Sequence, residues 1–443
     1  MARFATLVVP FLAGWLLAPA VGLQTGRVGR EVDDGSRRPV HASASLEDRA
    51  TSPQAAQAPV APAGLRPVRF RQGQCARAIP YSLVDDVPVV EAKLNGGVTV
   101  RLLLDTGFGS RAVLLFDPDL ARQLNLKTAS RIRLGGAGGQ EPRTVDTGGV
   151  VELSLPGVSF SSVPTLVASE KRFFEDWPCD GIVGGTLFSD CLVEIDTASG
   201  HLSFCPRDTA LPDNPGEPFD LTFSHGIPVV EGQATLGGQT MSVNLLVDSG
   251  AALPFILFSY SSPALKAPAE TITFKGEGIN GVASVQLGRI PSVRVGPYII
   301  REALAGFMSA ESMGAATNLG QHGFLGPQTL QKFHVLFDYP GKRMYLRPNV
   351  PPPAEWEFNM AGLALKTLPT KRVMVFDVVA GSPAARVQIQ PGDLILTIDG
   401  KPVEGLSYLD VYGSFIREGK AVSLVIERGT QRMARQVVLK RLI

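Results

Sequence analysis

The chain carries almost no net charge: 42 basic residues stand against 41 acidic ones. That near-balance argues against a nucleic-acid binder or a polybasic membrane-surface protein. Histidine and cysteine are also scarce. None of the five histidines forms a ligand pair, the four cysteines fit no zinc-module spacing, and no metal or other cofactor is expected. There is no Gly-x-Ser-x-Gly, no His-Glu-x-x-His and no phosphate-cradling loop. Beyond the first residues, no segment is apolar enough to cross a bilayer. Glycine (47) and proline (34), by contrast, make up nearly one residue in five. Such a composition favours short strands and turns over long helices, and 443 residues suffice for about three domains.

The N-terminus sets the expected compartment. Arg3 precedes an apolar run from Ala5 to Ala18, and small residues follow to Gly22, the three-part layout of a secretory signal. An uncleaved anchor is the rival reading. The mature protein is expected to be exported, periplasmic or secreted, so Cys75, Cys179, Cys191 and Cys205 read as one or two disulfides. Cys191 and Cys205 flank an apparent hairpin turning at Thr197–Gly200 and could face each other. Residues 23–75 are rich in Ala, Pro, Ser, Gln and Arg and read as a disordered linker or pro-segment.

The middle of the chain is a duplication. Pro88-Val-Val-Glu91 recurs as Pro228-Val-Val-Glu231, 140 residues later. Val100–Gly107 recurs as Val243–Gly250 at an offset of 143, and the glycine-rich Gly135–Gly139 has an echo at Gly278–Gly281, again 143. Gly181-Ile-Val-Gly184 recurs as Gly323-Phe-Leu-Gly326, and Glu194–Leu202 as Leu336–Met344, both at 142. A near-constant offset over five landmarks predicts two tandem lobes of one fold. Strand patterns dominate each lobe, at Val98–Leu104, Val150–Leu155 and Ser242–Val247. One short helix is expected after Asp117, with a counterpart beginning at Ser262–Pro263.

Each copy ends a buried strand on an aspartate in a tight turn: Asp105-Thr106-Gly107 and Asp248-Ser249-Gly250. Glycine lets the chain fold back closely, and the Thr or Ser hydroxyl can hold the neighbouring backbone. If the lobes pack about a pseudo-twofold, the two carboxylates become neighbours and must share a proton. One then acts as base on a bridging water while the other donates to a carbonyl oxygen. A third tripeptide, Asp146-Thr147-Gly148, lacks the preceding apolar run and reads as a surface turn.

These motifs resemble the retropepsin-like aspartic proteases over residues 79–348. The resemblance implies a mainly β, bilobal acid-protease fold with Asp105 and Asp248 as the catalytic pair. It makes Thr106, Gly107, Ser249 and Gly250 the support of the active turns. Gly135, Gly136, Ala137, Gly138 and Gly139 become the tip of a flap, with Gly278, Ile279, Asn280 and Gly281 as its counterpart. Gly184 and Gly326 would pack behind their own turns. Phe108 departs from the small residue usual after the active glycine, whereas Ala251 keeps it. With no hydroxyl at either position, a weakly acidic to neutral pH optimum is expected.

Residues 355–443 resemble a PDZ domain, through Met360–Leu365, Val375–Ala385 and Gln390–Gly400. That resemblance implies a carboxylate-binding loop at Ala361, Gly362 and Leu363, and a peptide added as an extra strand. The expected layout is therefore signal peptide 1–22, linker 23–75, first lobe 76–210, second lobe 218–349 and PDZ domain 355–443. The expected function is an exported, monomeric aspartic endopeptidase acting on peptides or proteins, with no nucleic-acid partner and a possible C-terminal peptide ligand at the PDZ domain. The alternative is a non-catalytic protein that keeps both grooves for peptide recognition.

Overall fold

The computed structural model describes residues 68–71, 74–139, 142–171, 174, 176–353 and 355–443, with the backbone of Pro10–Phe11 and Gly14–Leu17. Most of the signal and most of the linker lie outside the described residues. The first repeat opens with a hairpin, β1 (Ala76–Val84) and β2 (Val87–Leu94), which turns through Asp85 and Asp86 at positive φ. Strand β3 (Val98–Leu104) leads to Asp105, and α1 (Pro118–Gln123) starts where Asp117 accepts the Asp119 N–H. A long hairpin follows, β4 (Arg131–Gly136) with β5 (Thr144–Leu155), then β6 (Gly181–Val183), α2 (Gly185–Phe188), β7 (Cys191–Asp196) and β8 (His201–Pro206).

The second repeat runs through the same elements. They are β9 (Gln239–Val247), which leads to Asp248, the hairpin β10 (Thr271–Gly278) and β11 (Gly281–Val295), β12 (Gly323–Leu325), α3 (Pro327–Leu330), β13 (Phe333–Asp338) and β14 (Arg343–Pro348). In each repeat the strand that carries the aspartate pairs in parallel with the short glycine-led strand. Leu102–Leu104 lie beside Gly181–Val183, and Leu245–Val247 beside Gly323–Leu325. These paired segments are apolar and buried because both of their faces are covered.

The repeats join through β7 and β13, which pair antiparallel with Glu194 opposite Leu336. Those two residues are 142 apart, the offset of the duplication itself, so a strand is paired with its own copy and the pseudo-twofold passes through that pair. The outer neighbours obey the same symmetry: β8 pairs with β1, and β14 with Glu217–Asp220.

The C-terminal region forms its own five-stranded antiparallel path, which begins with β15 (Leu363–Thr367) and β16 (Val373–Val378). Helix α4 (Tyr408–Gly413) starts in a capping box, Ser407 bonding the Asp410 N–H and Asp410 the Ser407 N–H. This unit has a separate core around Val375, Phe415, Val422 and Ile426. Its other face docks on the second repeat, where Phe274 meets Phe358 with ring centroids 5.0 Å apart and Lys275 N–H donates to Asp377 at 2.7 Å.

Three local expectations are corrected. Cys205 is bonded to Cys75, not Cys191. The hairpin register places Cys191 opposite Pro206, and its thiol instead donates to Leu187 O. Asp146-Thr147-Gly148 lies within β5 rather than in a turn, with Asp146 paired to Arg131. At Ser262–Pro263 the chain makes turns, not a helix.

The bridge spans 130 residues of sequence, so its loss enlarges the unfolded ensemble considerably. Cys75→Ser should lower unfolding free energy by about 2–5 kcal/mol. Cys179→Ser should cost far less. Denaturant titration of the two variants compares them directly.

Candidate active site

The two aspartate turns meet on the pseudo-twofold and are tied together by four reciprocal hydrogen bonds. Thr106 Oγ1 donates to Val247 O at 2.8 Å and accepts the Ser249 N–H at 2.9 Å. Ser249 Oγ donates to Leu104 O at 2.7 Å and accepts the Thr106 N–H at 3.0 Å. Each hydroxyl thus bonds the strand end of the opposite repeat, a task that needs a short side chain with both donor and acceptor capacity. Within each turn the aspartate is fixed from behind. Asp105 N–H bonds Val183 O and Asp248 N–H bonds Leu325 O. A Cβ at Gly184 would overlap the Asp105 and Phe108 carbonyl oxygens, and one at Gly326 would overlap that of Leu253. Those two glycines stand behind their turns as expected.

The clamp leaves the carboxylates side by side and fully buried. A Cβ at Gly107 would lie 2.5 Å from Asp248 Cγ, so only glycine fits there. Asp105 Oδ1 accepts the Phe108 N–H at 3.1 Å, and Asp248 Oδ1 accepts the Gly250 N–H at 2.8 Å. Each residue's second oxygen has no other protein partner among the described residues and faces the opposite carboxyl. Burial, then the charge of Asp248, hold Asp105 well above the ordinary carboxylate range, while burial raises Asp248 to about 7. Both shifts favour a pair that holds one shared proton.

The two glycine-rich tips lie together above this pair. Asn280, which is fully buried, donates its side-chain amide to Leu134 O and Gly136 O at 3.0 and 3.2 Å. Its Oδ1 accepts the Arg143 N–H at 2.9 Å, and its own N–H reaches Ala137 O at 2.9 Å. Gly139 N–H bonds Val282 O at 3.2 Å. The apolar tip residues are exchanged between repeats. Ile279 enters the first repeat's core with Phe108, Leu134 and Trp177, and Ala137 enters the second repeat's core with Ala251 and Met313. Phe108 is therefore buried in the core of the first repeat, packed with the tip residue Ile279.

The inner edges of both hairpins accept a further strand. N-terminal backbone lies against them, Pro10–Phe11 parallel to Glu277–Gly278 and Gly14–Leu17 antiparallel to Arg133–Gly136.

Sequence reasoning missed a charged cluster behind the second tip. Arg143 and Glu277 pair at 3.3 Å, both nearly buried, and the guanidinium lies 4.9 Å from the Phe174 ring centroid. Lys366 of β15, only 2% exposed, comes from the C-terminal unit to the same place, and its Nζ has no hydrogen-bond acceptor within reach among the described residues. Burial raises the Glu277 carboxyl to about 7 against the pull of Lys366 and Arg143. Asp85 and Asp86 bond in the same junction: Asp85 to Thr367 and Asp86 to Gln328 of α3. A signal for them was present, since their copies 140 residues on are His225 and Gly226, with no acid. The proposed loop residues Ala361, Gly362 and Leu363 lie at the start of β15, where Gly362 has φ 81°.

Residues 90–187 match the family model described as aspartyl protease, and residues 358–439 match a PDZ domain. The chain carries an aspartyl protease domain and a C-terminal PDZ domain. Asp105 falls inside the matched protease span, whereas Asp248 lies beyond it and is related to it through the repeat. No curated protein matches. Among solved structures, a photosystem II D1 C-terminal processing protease is 24% identical over 19% of this chain and 24% of its own length, at a TM-score of 0.18. The chain thus spans about a quarter of that protein.

Asp85 (about 6) and Glu277 (about 7) both have folded-state values above their unfolded ones. The stability each contributes is present below the unfolded value near 4 and is lost as pH rises through the folded value. Glu277→Gln removes one titrating group. The fall in melting temperature between pH 5 and pH 8 should therefore be shallower in the variant than in the wild type, as measured by calorimetry.

Proposed function

We propose that the chain is an exported aspartic endopeptidase. Asp248, the less strongly shifted carboxyl, acts as base on a water held between the pair. Asp105 carries the shared proton and donates it to the oxygen of the scissile carbonyl. The proton passes from water to Asp248, and the amide carbon becomes tetrahedral without a covalent enzyme intermediate. Breakdown then moves the proton from Asp248 to the leaving nitrogen as the C–N bond breaks, while a hydroxyl of the tetrahedral carbon returns its proton to Asp105. The observation that carries this reading is the pairing of two fully buried carboxylates by the Thr106–Ser249 clamp, since two acids brought together without cations serve proton transfer better than packing.

Residues 76–210 and 218–349 act as two lobes, the glycine-rich tips as flaps over an extended substrate. The added N-terminal strand supports that mode, because it uses the backbone groups an extended peptide would use. Both carboxylates come from one chain, so activity does not require a dimer. The PDZ domain recruits or positions peptides. Export rests on the N-terminal apolar run and agrees with the Cys75–Cys205 bond.

Asp105→Asn and Asp248→Asn should each lower cleavage of a peptide library by at least about 10²–10⁴-fold with the fold retained. If the protein cleaves peptides and neither substitution alters the rate, the assignment fails. The rate should fall on the acid side as Asp248 takes up its own proton and on the alkaline side as the shared proton leaves Asp105. With Asp248 raised to about 7 as the base, a pH–rate profile should accordingly peak near neutral pH and fall in weakly acidic conditions. A maximum below about pH 3.5 would contradict the raised values of both carboxyls.

A further inference from the structure

Asp105, Asp248 and the tip residues Ala137, Ile279 and Asn280 have no exposed surface. A peptide therefore reaches the carboxylates only after one glycine-rich hairpin lifts off the other. The bonds between the tips, those of Asn280 among them, break whichever hairpin moves, and so does the Arg143–Glu277 pair. They cancel from the comparison. Each tip also rests on the opposite repeat: Gly138 N–H bonds Ser312 O at 3.2 Å, and Ile279 packs with Trp177. What distinguishes the two hairpins is the C-terminal unit.

That unit grips β10, the first strand of the second hairpin, by a ring contact, a hydrogen bond and a charge. Phe274 meets Phe358 with ring centroids 5.0 Å apart, and Lys275 N–H donates to the Asp377 carboxylate of β16 at 2.7 Å. Lys366 of β15, 2% exposed, has no hydrogen-bond acceptor within reach among the described residues. Glu277 leads the carboxylates that balance its charge, ahead of Asp176 and Asp85, while Arg143 repels it. Lifting the second hairpin draws Glu277 away and leaves a buried cation less compensated, which is costly. Lifting the first hairpin takes the repelling Arg143 away instead and leaves Lys366 beside Glu277. The unit cannot follow the second hairpin outward freely, because Thr367 donates its N–H (3.3 Å) and hydroxyl (2.9 Å) to Asp85 of the β1–β2 turn. The edge of β10 is shortened as well. N-terminal backbone pairs with it only at Glu277–Gly278, short of the Asp377 bond, but with β4 along Arg133–Gly136. An extended peptide thus gains more of its pairing from the first hairpin.

We infer that the C-terminal unit pins the second hairpin to the body of the protein, so that the first hairpin, β4 and β5, is the single moving lid of the cleft. The inference rests on reading the cleft as a peptide-cleaving site. Asp377 is a positioning residue in it, acting through Lys275. The duplication supplies two equivalent hairpins, and the docked unit makes one of them a fixed wall.

Site-resolved hydrogen exchange on the full chain, without substrate, tests it. The Gly138 and Gly139 amides report parting of the tips, and the Lys275 amide reports release of the second hairpin from Asp377. After correction for intrinsic rates, the tip amides should exchange at least about tenfold faster than Lys275, the worth of one charge-assisted bond. Exchange at Lys275 as fast as at the tips overturns the single lid. Asp377→Ala frees the second hairpin, and two equivalent hairpins that open independently at most about double the open population. Its kcat/KM on a peptide library should therefore rise by no more than about twofold. A larger rise shows that the second hairpin gates entry in the wild type, and it too overturns the inference. The exchange comparison uses the unaltered chain, so it decides the matter even if Asp377→Ala fails to fold. If the wild type cleaves no peptide, the protease reading fails while the exchange rates still decide which hairpin moves.

Discussion

Two carboxyl groups fully buried against one another are an unstable arrangement unless something else fixes the backbone that bears them. In this protein that something is the pair of hydroxyls on Thr106 and Ser249, each bonded to the opposite turn. A net hydrogen bond is worth only about 0.5–1.5 kcal/mol, but an orphaned buried partner costs about 1–3. The four bonds are therefore lost in pairs, and losing one hydroxyl orphans both an N–H and a carbonyl of the opposite repeat. The glycines then follow as consequences. Gly107 leaves room for the facing carboxyl, while Gly184 and Gly326 let the supporting strand press against the turn's own carbonyls. The second clamp, Glu194 against Leu336, lies on the same axis, so the two repeats have little freedom to rotate or shift register.

With the base of the cleft so fixed, any opening falls to the tips. Closing them buries Ile279 and Asn280 completely and spreads the bonds of Asn280 over Leu134, Gly136, Ala137 and Arg143. Opening exposes an Ile side chain, worth roughly 1.5–3 kcal/mol, in addition to those bonds. The Arg143–Glu277 pair beside both hairpin tips is next to Lys366, a residue of the PDZ strand β15. The charge beside the hairpin tips is thus partly supplied by the C-terminal unit, which links the position of that unit to the electrostatics of the tips.

Much of this could be read in the sequence because it is repeated. A strand–Asp–Thr/Ser–Gly unit is common alone, but its recurrence in register with a glycine-rich hairpin and a Gly-x-x-Gly motif fixed the pairing of elements before any coordinates. Features of the junctions were not repeated and so were not legible. Asp85 and Asp86 look like ordinary turn residues, and the lack of an acid at their copies, His225 and Gly226, sets them apart without saying what they meet. Lys366 sits in a strand whose alternation gives no sign that its polar position faces another domain. The Cys191–Cys205 expectation failed over one residue of register: the hairpin pairs Asp196 with His201, which sets Cys191 opposite Pro206. Asp146-Thr147-Gly148 was set apart correctly from the pair, but its place in a strand depends on the length of β5, which the local turn chemistry hides.

Phe108 is the clearest case of a residue whose meaning changes with tertiary context. Beside the active turn it suggests an obstructed cleft, yet the ring shares its core with Ile279, the tip residue contributed by the other repeat. The corresponding position after the second glycine is Ala251, and its core receives Ala137 from the first tip. Large accompanies large on one side and small accompanies small on the other. Close-packed interiors tolerate neither a void nor an overlap of a methylene or more, so each flap tip and the opposite turn must keep compatible volumes. A change at Phe108 therefore acts first on the packing of the second tip through Ile279. Fusing the two copies into one chain is what permits this asymmetry: in a symmetric dimer both sides would carry the same pair, whereas here each half of the cleft cover is matched to its own wall.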